Sequence, residues 1–322
     1  MPMKTFLNRI LIIIILAFLI AGYSLGVILP PRPRNMPITI ERGMSAEQIA
    51  DLLKGHGIIR SNLVFIGVAY LGKLENKLSA GKFIFNEPVS TFEVLAKLTH
   101  GQKEVTVVIP EGFTVKDIAR LLEKENLVNA QSFINVANES FLNSYPRGLE
   151  GFLFPDTYRF FEITSPEEII EILIANFDLK IKTLEDGINK SGRDLYSVIT
   201  MASILEKEAS STEDRRIISG ILWRRLDEGT LLQVDATLVY TIGRSSSELT
   251  AEDLSDEKNP YNTYQHKGLP PGPISNPGLE SIRAALAPEK TSYYYYLSDK
   301  EGTIYYSRTF EEHKKNKAKY LH

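Results

Sequence analysis

From Ile10 to Leu29 the chain is apolar and uncharged: ILIIIILAFLIAGYSLGVIL. These 20 residues, at 1.5 Å each, are long enough to cross a bilayer core, so the run predicts one transmembrane helix. A cleaved leader has a shorter apolar region ending in a small-x-small site, and Ala21-Gly22-Tyr23-Ser24 is a poor one. The short basic arm, residues 1–9 with Lys4 and Arg9, then stays on the cytoplasmic side, and the bulk of the chain lies outside. Pro30, Pro31 and Pro33 make residues 30–36 a stiff, extended spacer.

Beyond the spacer the apolar pattern repeats. TIERGMSAEQIADLLKGHGII starts at Thr39 and VIPEGFTVKDIARLLEKENLV at Val108. Ile40, Gly43, Ile49, Ala50, Leu52 and Leu53 recur as Ile109, Gly112, Ile118, Ala119, Leu121 and Leu122. Each copy reads as a short strand, a glycine turn, an N-cap (Ser45 or Thr114) and a helix with apolar residues at i, i+3 and i+4. Looser likenesses follow. Residues 80–85 resemble 150–154, and 90–95 resemble 165–170. The pattern predicts two strand–helix–helix–strand units, each followed by a helix. The first, over residues 37–103, resembles the LysM carbohydrate-binding module. The second, 108–170, opens a larger region over 104–322. Two copies are too few for a solenoid, so the class is α+β.

In that larger region Glu167–Glu185 and Asp194–Ala209 read as helices, with Ser165-Pro166 starting the first and Gly187 suiting its end. The proline-rich GLPPGPISNPG, residues 268–278, suits neither helix nor central strand and predicts a long loop, ordered or disordered. Ser292–Leu297 and Thr303–Ser307 flank a turn as a tyrosine-rich hairpin, and a basic helix, Phe310–Tyr320, closes the chain.

Composition narrows the chemistry. The net charge of −3 offers no basic field for nucleic acid. The absence of cysteine excludes disulfides, thiolate metal sites and a cysteine nucleophile. The five histidines lack ligand spacing, so no metal is expected. No phosphate-binding glycine loop and no GxSxG elbow is present, so neither a nucleotide cofactor nor a serine-hydrolase site is expected. Acid–base work by carboxylates remains.

The candidates end the helix Asp194–Ala209: Glu206 and Glu208, with Lys207 between them. Its apolar stripe runs through Leu195, Val198, Ile199, Ala202 and Leu205, with Lys207, Ser203 and Thr200 on the polar side. Both glutamates flank apolar residues, and the wheel does not choose between them. Burial would raise either pKa, as a general acid near neutral pH requires. Taken alone, such a triplet is more often a solvated or ion-paired helix end, with Arg215 or Arg216 as partner. Three segments supply the aromatic, amide and hydroxyl surface that sugars need: 150–158, 231–237 and 259–278.

With these residues assembled, the chain resembles the endolytic murein transglycosylases of the MltG/YceG-like type. The resemblance rests on EGFLFPDTY (150–158), MASILEKEA (201–209), LLQVDATLVY (231–240), NPYNTY (259–264) and GLPPGPISNPG (268–278), in that order. It implies a catalytic Glu208, with Glu150, Gln233, Asp235, Asn262 and Tyr264 as candidate substrate-binding residues. It also implies cleavage of the MurNAc-β-1,4-GlcNAc bond within peptidoglycan glycan strands, leaving 1,6-anhydro ends, without metal or cofactor. The implied setting is the bacterial cytoplasmic (inner) membrane, with peptidoglycan synthases as partners. Two other readings stand beside it: a non-catalytic glycan-binding scaffold, and a muramidase-type hydrolase of the same bond.

Overall fold

Glycine turns and side-chain caps set the rhythm of both halves of the chain. The computed structural model describes residues 37–85, 88–101, 104–139 and 148–321. The apolar run 10–29 and the spacer 30–36 lie outside the described residues. Among the described residues no helix is long and apolar enough to cross a membrane. The chain divides into two compact units. One runs to Val105 and includes Phe161–Ile163; the other holds Thr106–Phe160 and Thr164–His322.

In the first unit β1 (Pro37–Ile40) pairs antiparallel with β2 (Gly81–Ile84), Ile38 opposite Phe83 and Ile40 opposite Gly81. Between them lie α1 (Ala46–Gly55) and α2 (Asn62–Leu71), and α3 (Thr91–His100) follows. Ser45 and Gln48 close a reciprocal capping box at the start of α1, as Ser90 and Glu93 do for α3. Ile38, Ile40, Ile49, Leu53, Phe65, Phe83, Val94 and Leu98 form one buried core.

The plan recurs along the chain with β3 (Glu104–Val108), α4 (Val115–Lys124), α5 (Ala130–Asn138), β4 (Thr157–Phe161) and α6 (Pro166–Lys182), most of it in the second unit; β3 pairs with β4. The Thr114 capping box matches that of Ser45. Ile109, Ile118, Ala119 and Leu122 are buried, as are Ile40, Ile49, Ala50 and Leu53, so the sequence repeat is a repeat of core positions. Gly43 and Gly112 both turn the chain at positive φ, +89° and +77°, a conformation that side chains resist. The class is therefore α+β with a helical majority.

The rest of this unit is mostly helical: α7 (Glu185–Ser191), α8 (Leu195–Glu208), α9 (Thr212–Asp227), α10 (Asp235–Ile242), α11 (Ala251–Ser255) and α12 (Leu279–Leu286). A hairpin, β5 (Tyr295–Ser298) with β6 (Ile304–Ser307), precedes α13 (Phe310–Tyr320). Gly187 does not end a helix. The helix it is expected to close stops at Lys182, and Gly187 lies inside α7, whose left-handed cap is Gly192. Such a cap needs φ > 0, and it is Gly192 rather than Gly187 that adopts it. α8 is the axis of the unit. From Val198 to Leu205 every residue is buried, and α9, α10 and α12 pack against it.

Candidate active site

Two neighbouring glutamates end α8, and their surroundings separate them. Glu206 is nearly sealed, its side chain 5% exposed. Arg215 on α9 donates to its Oε1 at 2.8 Å, and the Gly278 amide donates to its Oε2 at 2.9 Å. The same guanidinium also donates to the Ala209 carbonyl. Both oxygens of Glu206 are thus spent on tying the helix end to α9 and to the start of α12.

Glu208 is half-buried and accepts one hydrogen bond from the described residues, from the Tyr296 hydroxyl to Oε2 at 2.8 Å. Its Oε1 has no donor among the described residues. Burial pushes the carboxyl up to about 7; the Tyr296 hydrogen bond opposes that rise and the charge of Asp235 adds to it. Tyr296 comes from the hairpin, and burial with the adjacent Glu208 charge holds its hydroxyl well above the ordinary range, so it remains a donor.

Asp235 is the first residue of α10, and Tyr264 donates to its Oδ1 at 2.6 Å. Tyr264 is likewise raised, by burial first, then by Asp235, with Glu208 contributing. Glu208, Asp235, Tyr264 and Tyr296 therefore form one polar group. Gln233 lies at its edge with an exposed side chain and a left-handed backbone, φ +52°. Its backbone N–H donates to the Thr263 carbonyl, and Thr263 Oγ1 accepts from the Val234 backbone N–H. The 259–264 loop is in this way stitched to the turn that starts α10.

The other two sequence candidates lie in different surroundings. The Glu150 carboxylate accepts from the Val115 amide at 3.1 Å, from Tyr240 at 3.2 Å and from Asn276 at 3.1 Å. It shares none of these donors with Glu208, although burial pushes it too up to about 7. Asn262 is fully buried. Its Nδ2 donates to the carbonyls of Asp253, Leu254 and Asp256, and its Oδ1 accepts from the Tyr264 amide. That amide organises its own loop.

The proline-rich segment 268–278 is ordered, and residues 272–278 are buried. Ser203 holds it. Its hydroxyl accepts from the Ile274 amide at 3.0 Å, and its carbonyl accepts from Ser275 Oγ. Ser203 and Thr200 are therefore buried on α8 and do not share a solvent face with Lys207. Small hydroxyls suit a tightly packed helix face as well as an exposed one, which is why the wheel misplaces them. Asn276 completes the seam: Oδ1 accepts from the amides of Gly151 and Leu153, and Nδ2 donates to Phe113 and Glu150. A side chain at Gly151, φ +91°, would come within 2.6 Å of Pro273, so the close approach demands glycine.

The sequence model of the YceG-like family matches residues 38–319. The chain belongs to the YceG-like family. A Bacillus subtilis (strain 168) relative named endolytic murein transglycosylase is 33% identical over 306 residues, covering 88% of this chain and 84% of its own. A Streptococcus pneumoniae (D39) protein of the same name is 29% identical; the match covers 96% of this chain and 64% of that longer protein. A crystal structure of a yceG-like protein from Listeria monocytogenes superposes with a TM-score of 0.61 at 31% identity, covering 88% of this chain and 99% of the other.

In this YceG-like chain two site residues, Tyr296 and Arg225, carry no local sequence signal. Tyr296 stands 88 positions from Glu208 in a run of four tyrosines, any of which suits a hairpin. Of the two cations expected as ion-pair partners, Arg215 pairs with Glu206, and Arg216 pairs with Glu289. Arg225, 6% exposed, donates to the carbonyls of Leu232 and Tyr294 and places a buried positive charge beside Tyr264 and Tyr296.

Proposed function

We propose that this protein is an endolytic peptidoglycan transglycosylase in which Glu208 is the acid and base. The observation that carries this is the contrast within the glutamate pair. Glu206 has both oxygens occupied, whereas Glu208, on a carboxyl raised to about 7, has no donor to Oε1 among the described residues. A group with that pKa is substantially protonated near neutral pH and remains a competent base after giving its proton away.

The reaction then needs few parts. Protonated Glu208 donates to the glycosidic oxygen as an oxocarbenium-like state develops at C1. The resulting carboxylate takes the proton of the C6 hydroxyl, whose oxygen closes on C1 to give the 1,6-anhydro end. Most glycosidases add a second carboxylate, as nucleophile or to activate water. Intramolecular capture dispenses with the water. Asp235, fixed by Tyr264, lends negative charge beside Glu208 where positive charge develops on the sugar. Gln233 offers an exposed amide for sugar hydroxyls. Glu150 and Asn262, with their hydrogen bonds met inside the protein, serve by holding the 110–115, 259–264 and 268–278 segments in place.

The same reading makes residues 10–29 a single-pass anchor of the bacterial cytoplasmic membrane, with the folded units on its outer side near nascent strands and their synthases. Residues 37–103 serve as a LysM-like glycan-binding module. Digestion of glycan strands in water enriched in oxygen-18 tests the activity. A transglycosylase leaves anhydro ends that carry no label, whereas labelled reducing ends would make the protein a hydrolase. Binding without cleavage would make it a scaffold.

A further inference from the structure

The helices of the first unit treat solvent differently. α1 turns Glu47, Gln48, Asp51 and Lys54 outward, and α3 turns Glu93 and Lys97 outward. α2, NLVFIGVAYL, has no charged residue on any side. Phe65 and Ala69 bury its inner face, while Leu63 is 84% exposed, Tyr70 72% and Leu71 85%. At about 100° per residue Leu63, Gly67, Tyr70 and Leu71 fall within one arc of roughly 100° on the outer face. A helix that is apolar all round belongs in a core or against lipid, yet this one lies at a surface.

We propose that this outer face of α2 is a docking surface for the lipid bilayer. The proposal rests on reading residues 10–29 as a membrane anchor. Only residues 30–36 separate the end of that run from β1, and a proline-rich spacer reaches about 3.1 Å per residue, or about 22 Å in all. The unit is therefore held within its own dimensions of a membrane surface, and the face need only fix orientation, because the tether already supplies proximity. Charge favours the same occupant. Between Arg60 and Lys77 the chain carries three cations, Arg60, Lys73 and Lys77, against one carboxylate, Glu75, and all four are exposed. Cations at the ends of an apolar helix suit anionic headgroups, and an outward tyrosine suits the interfacial layer.

Because the chain has no cysteine, single substitutions accept a polarity-sensitive fluorophore cleanly. The full-length protein is reconstituted in phosphatidylglycerol–phosphatidylcholine vesicles as Leu71→Cys, with Glu47→Cys on α1 and Leu19→Cys in the apolar run as references. Docking predicts that the label at position 71 shifts to the blue and loses emission to a nitroxide placed near the headgroup, while the label at 47 does neither. The shift should weaken in vesicles of phosphatidylcholine alone. A label at 71 that stays in water while the label at 19 is quenched by a deep nitroxide overturns the docking and leaves the anchor standing. Failure at both positions overturns both. A blue shift at 71 without nitroxide quenching marks a protein-covered face and also overturns the proposal.

Discussion

Replacing Tyr296 by Phe removes the hydroxyl that donates to Glu208 Oε2 at 2.8 Å and leaves the ring in place. A hydroxyl donor favours the ionised carboxylate, so its loss favours the protonated form and the pKa of Glu208 rises from about 7. A hydrogen bond to a charged group is worth about 1.5–3 kcal/mol, and each pH unit corresponds to 1.36 kcal/mol, so the expected movement is about one to two pH units. The alkaline limb of kcat/KM reports the loss of the proton from the free enzyme's acid. Formation of anhydro-ended fragments from purified glycan strands, quantified by mass spectrometry from about pH 5 to pH 9, gives that limb. The Tyr296→Phe limb should lie to the alkaline side of the wild-type limb, with the remaining activity greatest at a higher pH. If the limb stays where it is, or moves toward acid, the hydroxyl does not act on the titrating group and the Glu208–Tyr296 pairing is refuted.

Further outcomes follow from other contacts. Arg215→Met leaves the Glu206 charge nearly sealed and unpaired, which should cost about 3–5 kcal/mol and lower Tm; an unchanged melt contradicts the clamp. Gly151→Ala drives a methyl to within 2.6 Å of Pro273 and 2.9 Å of Ile199 at positive φ; a loss of about 1–3 kcal/mol in denaturant melts is expected. Glu208→Gln should alter the pH dependence of stability. The carboxyl titrates at 4.5 when unfolded and at about 7 when folded, so the wild type loses stability as pH rises from 4.5 through 7. The variant should therefore be the more stable by up to about 3 kcal/mol at alkaline pH, with no such gain in acid; the reverse order contradicts the assigned burial of this group.

The architecture was legible wherever neighbours in sequence decide it. The repeated Ser45 and Thr114 caps, the two strand–helix–helix–strand units and the closing helix Phe310–Tyr320 are local patterns, and the structure has them all. The difference in surroundings between Glu206 and Glu208 was not legible from the helix, because residues outside it make that difference. Arg215 and Gly278 occupy Glu206, and Tyr296 occupies half of Glu208. Periodicity is blind to both; only the family resemblance pointed to Glu208. Polar residues in loops carry a related ambiguity. Asn262 has the composition of a sugar ligand, yet three carbonyls share its Nδ2. A buried loop must satisfy its own backbone, and an asparagine that does so looks the same in sequence as one that waits for a ligand.

The central claim is that Glu208, and not its neighbour, moves the proton. The most direct measurement compares the release of 1,6-anhydro ends by the wild type, Glu208→Gln and Glu206→Gln, each confirmed folded by circular dichroism and corrected for folded fraction. The account predicts that Glu208→Gln releases none, while folded Glu206→Gln still does. Continued release of anhydro ends by Glu208→Gln would contradict it.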